Sequence, residues 1–184
     1  FLELPQPGML QDSMWEHTDA VWADVNKDTH VDLIIATGGN EYYGEDEHLL
    51  PLLYLNDGKG NLTRKANAFS AIHSTQSVVL VHDWNNDGAV DLFIGGRAVP
   101  WNYGAVPGSY LLQNDGTGVF TDVTKKLAPD LQFAGMVTDA KLADMNKDGK
   151  QDLLLSYEWG GIDVFMQQSK QFNRQPITTE KGWW

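Results

Sequence analysis

Short apolar runs, rich in β-branched and aromatic side chains, recur along the chain and stop at turn-forming residues. Ala20-Val-Trp-Ala pairs with Val31-Asp-Leu-Ile-Ile-Ala, and Val78-Val-Leu-Val pairs with Val90-Asp-Leu-Phe-Ile. Gly-Gly dipeptides at 38–39, 95–96 and 160–161 bound these runs. Runs of this length and composition predict strands. A third run follows each pair: Leu52-Leu-Tyr-Leu before Asn56-Asp-Gly-Lys-Gly-Asn-Leu-Thr63, and Tyr110-Leu-Leu-Gln before Asn114-Asp-Gly-Thr-Gly-Val-Phe-Thr121. Asn-Asp-Gly between apolar runs signals a hairpin, because these residues accept the positive φ of tight turns. The stretch from Ile162 to Phe172 keeps the strands but lacks the glycines. Helical periodicity is weak, with one short turn expected near Thr124 to Leu127.

The unit is therefore strand, polar loop, strand, connection, strand, hairpin, strand, and it occurs three times. Four antiparallel strands in about 60 residues suit a propeller blade. The expected fold is all-β: a partial β-propeller of three four-stranded antiparallel blades. The 184 residues form a single unit with blades near 15–70, 71–130 and 131–181, and residues 182–184 start a further blade. Closed propellers take ~4–8 blades, so three make an arc. Its uncovered blade faces are expected to be buried by other blades of a parent chain or by self-association. The chain begins with Phe1 and shows no signal peptide, which reads as a processed or excised piece.

The loop between the first two strands of each unit carries the chemistry. Asp24-Val-Asn-Lys-Asp-Thr-His-Val-Asp32, Asp83-Trp-Asn-Asn-Asp-Gly-Ala-Val-Asp91 and Asp144-Met-Asn-Lys-Asp-Gly-Lys-Gln-Asp152 align without gaps as D-x-N-x-D-[G/T]-x-x-D. Carboxylates crowded on one bend repel one another unless a cation lies among them. Alternating oxygen donors suit a hard ion, since Ca²⁺ takes six to eight oxygens in irregular geometry. The expected ligands in the first loop are Asp24, Asn26, Asp28, the carbonyl of His30, and Asp32. In the second they are Asp83, Asn85, Asp87, the carbonyl of Ala89, and Asp91. In the third they are Asp144, Asn146, Asp148, the carbonyl of Lys150, and Asp152. Up to three Ca²⁺ are expected, with Mg²⁺ as the alternative ion. Gly88 and Gly149 supply the sharp bend at position 6. Thr29 stands there in the first loop, which marks that copy as the weakest or most strained.

Two other accounts of the motif were weighed. An EF-hand needs a glutamate at position 12 and flanking helices, but that position holds Ile35, Ile94 and Leu155, between strands. Turn chemistry alone explains Asp, Asn and Gly in one loop. It does not explain three copies in phase, each keeping a ninth-position aspartate followed by leucine.

Charge reinforces this picture. The net charge is −12, and the nine loop aspartates account for most of it. Such a balance excludes nucleic-acid binding through a basic face. The absence of cysteine excludes disulfides, thiolate catalysis and cysteine-ligated metals. The longest apolar stretch, Leu49 to Leu55, is too short to span a membrane.

Other chemistry is thin. His17, His30, His48, His73 and His82 show no H-x-x-x-H spacing, and no G-x-S-x-G elbow is present. His82 is expected to pack rather than react. Arg97 with Glu158, each following a second strand, is the best acid and cation pair for an enzyme. The connections Asn40 to His48 and Arg97 to Pro107 carry Tyr42, Tyr43, Trp101 and Tyr103. These rings are expected to pack the loops onto the blades, with sugar stacking or partner binding as the other reading. Asn61-Leu-Thr63 matches a glycosylation sequon inside a hairpin, of no consequence in a bacterial protein.

The three loops resemble those of the FG-GAP/VCBS repeat family, including the calcium loops of integrin α-subunit propellers. Gly38-Gly-Asn, Leu55-Asn-Asp-Gly-Lys-Gly-Asn, Asp91-Leu-Phe-Ile-Gly-Gly-Arg97 and Lys181-Gly-Trp-Trp184 resemble bacterial VCBS proteins related to the cartilage acidic protein 1 and ASPIC/UnbV group. The resemblance implies a propeller of about seven blades with calcium in loops at one rim. It further implies a secreted, periplasmic or cell-surface protein that binds a protein or glycan and is not an enzyme. The alternative is the propeller domain of a secreted polysaccharide-acting enzyme.

Overall fold

Residues 5–69 and 72–177 are described by the computed structural model. Among the described residues the apolar runs form twelve strands in three four-stranded antiparallel sheets. The first sheet holds β1 (His17–Ala23), β2 (Asp32–Thr37), β3 (Leu52–Asn56) and β4 (Leu62–Arg64). The second holds β5 (Thr75–His82), β6 (Asp91–Ala98), β7 (Tyr110–Asn114) and β8 (Phe120–Asp122). The third holds β9 (Val137–Ala143), β10 (Asp152–Tyr157), β11 (Ile162–Gln168) and β12 (Gln171–Pro176). Each is a meander, with strands neighbouring in chain order. This is the expected partial propeller.

The middle residues of β2 and β6 are apolar and buried on both faces, as expected of strands covered on two sides. On β2, Ile34 and Ala36 join Val79, Leu92 and Ile94 of the second sheet in one core. On β6 the next residue, Phe93, turns the other way and packs with Leu153, Leu155 and Phe165 of the third sheet. Two cores therefore lie between blades, and each buried Leu, Ile or Phe contributes roughly 1.5–3 kcal/mol.

First strands of successive blades approach one another, β1 beside β5 and β5 beside β9, which places them on the inner edge of the arc. Polar ties cross between them. Val79 donates its backbone N–H to Asp19 Oδ2 at 3.0 Å, and Ser77 donates its hydroxyl to the Val137 carbonyl at 2.7 Å. Gln76, buried, accepts the Thr37 N–H at 3.1 Å and donates to the Leu49 carbonyl at 3.0 Å.

The outward face of the first blade is not bare, contrary to expectation. The N-terminal segment with its helical turn α1 (Pro7–Leu10) lies across it, and Met9 and Trp15 pack on Leu33, Ile35, Leu52 and Tyr54. Asp12 is buried there and receives Tyr54 Oη and Arg64 Nη1. Gln6 donates to the Gly60 carbonyl at 2.7 Å and accepts the Leu62 N–H at 3.1 Å. The sequence pattern gave no sign of this cover, because scattered single apolar residues carry no period. The anticipated turn is present as α2 (Thr124–Leu127), and short 3₁₀ turns occur at Glu47–Leu49 and Pro129–Phe133. The third hairpin needs no glycine, since two residues suffice between Gln168 and Gln171 and Ser169 adopts φ 57°. Residues 182–184, read as the start of another blade, lie outside the described residues.

Candidate metal centre

All three aspartate loops join the first and second strands of a blade, so antiparallel topology puts them at one end of the arc. Their backbones repeat. Position 4 has positive φ in each copy (Lys27 61°, Asn86 58°, Lys147 63°), and so does position 6 (Thr29 74°, Gly88 77°, Gly149 82°). Thr29 thus takes a conformation that its β-branched side chain opposes, which is the strain expected of the first loop.

Hydrogen bonds repeat with the backbone. The first aspartate receives the N–H of position 5 on one oxygen and that of position 6 on the other. For Asp24 these donors are Asp28 at 3.1 Å and Thr29 at 2.9 Å. For Asp83 they are Asp87 and Gly88 at 3.1 and 2.8 Å, and for Asp144 they are Asp148 and Gly149 at 3.1 and 2.9 Å. The asparagine oxygen shares the position-5 N–H, from Asn26 at 3.1 Å, Asn85 at 2.8 Å and Asn146 at 2.9 Å. Two side-chain oxygens thereby converge on one point in every loop.

The position-5 aspartates accept the N–H of position 7: His30 and Ala89 at 2.8 Å, Lys150 at 2.9 Å. That main-chain bond, first of all, holds the carboxyls of Asp28, Asp87 and Asp148 below the usual range, with the neighbouring asparagine amide contributing. They are exposed carboxylates that stay ionised.

The ninth aspartate serves the fold as well. Asp32, Asp91 and Asp152 are buried. One oxygen of each takes a loop N–H, from Val25 at 3.1 Å, Trp84 at 3.2 Å and Met145 at 2.9 Å. The other takes an N–H of the third strand, from Asn56 and Asn114 at 2.9 Å and Gln167 at 2.8 Å. Burial pushes Asp32 up, and it pushes Asp91 up to about 6. The sequence assigned this aspartate only to metal; its role as a clamp between loop and third strand depends on a contact 15 to 24 residues away.

A brace from the next blade supports two of the loops. Asn114 Nδ2 donates to the Val25 carbonyl at 2.9 Å, and Gln167 Nε2 to the Trp84 carbonyl at 2.9 Å. Val25 and Trp84 are buried, whereas Met145, their counterpart in the third loop, is about half exposed. Basic side chains also surround the loops. Lys27 donates to the Asp87 carbonyl at 3.3 Å from the neighbouring blade. His30 Nδ1 lies 3.2 Å from Asp28, and its ring covers Gly58, where a Cβ would stand 2.2 Å from it. Lys150 Nζ lies 3.7 Å from Asp148.

The donor set fits a hard cation: carboxylate, amide and main-chain oxygens, in three like-shaped bends. Among the described residues no three His, Asp or Glu side chains gather at metal spacing. Each loop offers two outer aspartates, and its ninth aspartate is turned toward main-chain N–H groups.

The opposite end of the arc holds the second-to-third-strand connections. There Arg97 pairs with Glu158 across blades, and Tyr103 donates its hydroxyl to Glu158 at 2.5 Å. These bonds hold the Glu158 carboxyl below its ordinary range. Tyr42 stacks on His48 at 4.0 Å, packing as expected. Tyr43, Trp101 and Tyr103 do not pack as expected and are 69%, 72% and 64% exposed. His82 packs edge-on against Trp84 at 4.8 Å, and burial pushes its imidazole down.

No curated protein matches the chain as a relative. The family model described as FG-GAP-like repeat matches at two overlapping positions, residues 24–94 and 83–155. Each match starts at the first aspartate of one loop and ends in the second strand after the next loop, so both are framed by the repeated bends described above. Together they span well over half of the chain, which therefore belongs to the FG-GAP-like repeat family.

Proposed function

We propose that this chain is a calcium-stabilised propeller module of a secreted, periplasmic or cell-surface bacterial protein, and that its task is to bind a protein or glycan. The observation that carries the reading is the threefold repetition of one oxygen-lined bend with the same φ pattern and hydrogen bonds. Asp24, Asn26, Asp28, the His30 carbonyl and Asp32 would hold an ion in the first loop, and their counterparts would do so in the other two. A bound divalent ion supplies positive charge to carboxylates that otherwise repel. Extracellular modules bind calcium at roughly 10⁻⁴–10⁻³ M, which suits this setting. The finer kinship, with bacterial VCBS proteins related to cartilage acidic protein 1, belongs to the same proposal and is supported by the Gly38-Gly-Asn and Asp91 to Arg97 motifs.

Binding is favoured over catalysis by the state of Glu158. A general acid at neutral pH needs a raised pKa, and Arg97 with Tyr103 drives this carboxyl the other way. Thermal melting tests the metal reading. Chelation should lower the melting temperature and millimolar calcium should restore it, since a ligand held only by the folded state stabilises by mass action, about 1.4 kcal/mol per site at tenfold its Kd. An unchanged melting temperature would sink the reading.

A further inference from the structure

At the end of the arc opposite the aspartate loops, a cleft of about 900 Å³ is lined by Glu16, Asn40, Glu41, Arg97, Trp101 and Tyr103 among others. We propose that this cleft binds a neutral oligosaccharide, with the Trp101 ring as its stacking platform. The inference rests on the reading of the chain as a recognition module and names its ligand class.

Trp101 is the first reason. It is 72% exposed and has φ 63°, a conformation that bulky residues avoid. Its backbone N–H is held at 2.9 Å by Asn40 Oδ1 from the neighbouring blade, which fixes the loop in that conformation. A strained backbone that displays a large aromatic to solvent forgoes the burial that ring would otherwise gain.

Its surroundings are the second reason. The cleft is lined by the first two blades and backed by the third. Thr75 of the second blade ties down the Gly39 carbonyl of the first at 2.8 Å. Tyr103 of the second meets Trp159 of the third edge-on at 5.2 Å, and Trp159 lies over Gly104, where a Cβ would sit 3.2 Å away. The Trp101 backbone and the Tyr103 ring are therefore held in place before any ligand arrives, which lowers the cost of binding.

Chemistry selects the occupant. A pyranose presents an apolar C–H face to an aromatic ring and hydroxyls around its rim. Carboxylates accept from hydroxyls, and guanidinium and amide groups donate to them. Glu16, Glu41 and Asn40 supply the rim, and Arg97 is already paired with Glu158. Glu16 and Glu41 line the cleft while Glu158 neutralises Arg97, which leaves the cleft negative, so acidic polysaccharides are repelled and neutral ones are not.

The test is calorimetric titration of the intact chain with cellohexaose, laminarihexaose and mannohexaose, beside polygalacturonate and hexalysine. At least one neutral sugar should bind with a Kd of about 10⁻³ M or tighter. Trp101→Gly, which keeps the left-handed backbone, should weaken that binding about tenfold or more without lowering the melting temperature. Tyr43→Ala, outside the cleft, should leave it unchanged. Silence from all neutral sugars, equal binding of polygalacturonate, binding of hexalysine alone, or full binding by Trp101→Gly would each overturn the proposal. Calcium-dependent melting is a separate readout, so the metal reading can fail while sugar binding stands, and the reverse.

Discussion

Asp91 Oδ1 accepts the backbone N–H of Asn114 at 2.9 Å, joining an aspartate loop to the third strand of its blade across 23 residues. Its other oxygen takes the Trp84 N–H. The aspartate with the clearest sequence signal for a metal ligand is therefore also a structural clamp, and its substitution should behave unlike that of its loop neighbours. Asp91→Ala leaves two buried N–H groups without partners at about 1–3 kcal/mol each. It should lower the melting temperature even in EDTA. Asp87→Ala, on the exposed side of the same loop, should change stability little in EDTA and show its effect mainly as lost calcium stabilisation. Melting curves of both variants with and without chelator check this.

Thr29 is the place where the fold can be improved. It holds φ 74° where the other loops have glycine. A left-handed conformation costs a non-glycine residue about 1–2 kcal/mol, offset in part by the greater unfolded-state freedom of glycine. Thr29→Gly should raise stability by roughly 0.5–1 kcal/mol, and Gly88→Ala should lower it by a comparable amount. Urea unfolding with an unchanged m-value reads both.

Lys27 brings a positive charge from the first loop to the second, donating to the Asp87 carbonyl at 3.3 Å. That ammonium repels a cation at the second loop. Lys27→Gln should tighten calcium binding there by about twofold to fivefold, more at low ionic strength. Calorimetry with the first and third loops disabled by Asp28→Ala and Asp148→Ala isolates the effect; weaker binding would refute it.

Burial sets an unusual pH dependence for the chelated protein. The folded-state pKa of Asp91 is pushed up to about 6, above an unfolded value of roughly 3.9. Its stabilising contribution is therefore full below the unfolded value and is lost as pH rises through the folded one. Asp28, Asp87 and Asp148 are shifted the other way and lose their contribution on acidification below the ordinary carboxylate range. Between about pH 4 and pH 6 the Asp91 effect should dominate. Asp91→Asn should remove it, so the stability gap between wild type and variant narrows as pH rises through this window. A gap that widens would contradict the assignment.

Among the described residues the third loop has no brace comparable to Asn114 or Gln167, and its Met145 is about half exposed where Val25 and Trp84 are buried. Amide exchange in EDTA should be fastest for residues 144–150, slower for 83–89 and 24–30. Uniform exchange across the three would argue that the brace adds nothing.

Much of this protein is local in origin and so was readable along the chain. Short apolar runs and Asn-Asp-Gly turns placed the strands and hairpins. The phase of the nine loop aspartates placed the candidate ligands, because position 1 to position 7 contacts span only a few residues. Thr29 marked its own strain, since backbone conformation at position 6 is set by the loop itself. What the chain order could not disclose lies between distant segments. The second role of Asp32, Asp91 and Asp152 needs the third strand, and the cover formed by Met9, Asp12 and Trp15 needs the outer face of the first blade. Tyr43, Trp101 and Tyr103 read as packing rings because composition carries no information about which side of a loop faces water. Only the packing of the blades decided that they stand exposed, Trp101 and Tyr103 around a cleft, since that is fixed by the angle at which sheets pack and not by any residue in them.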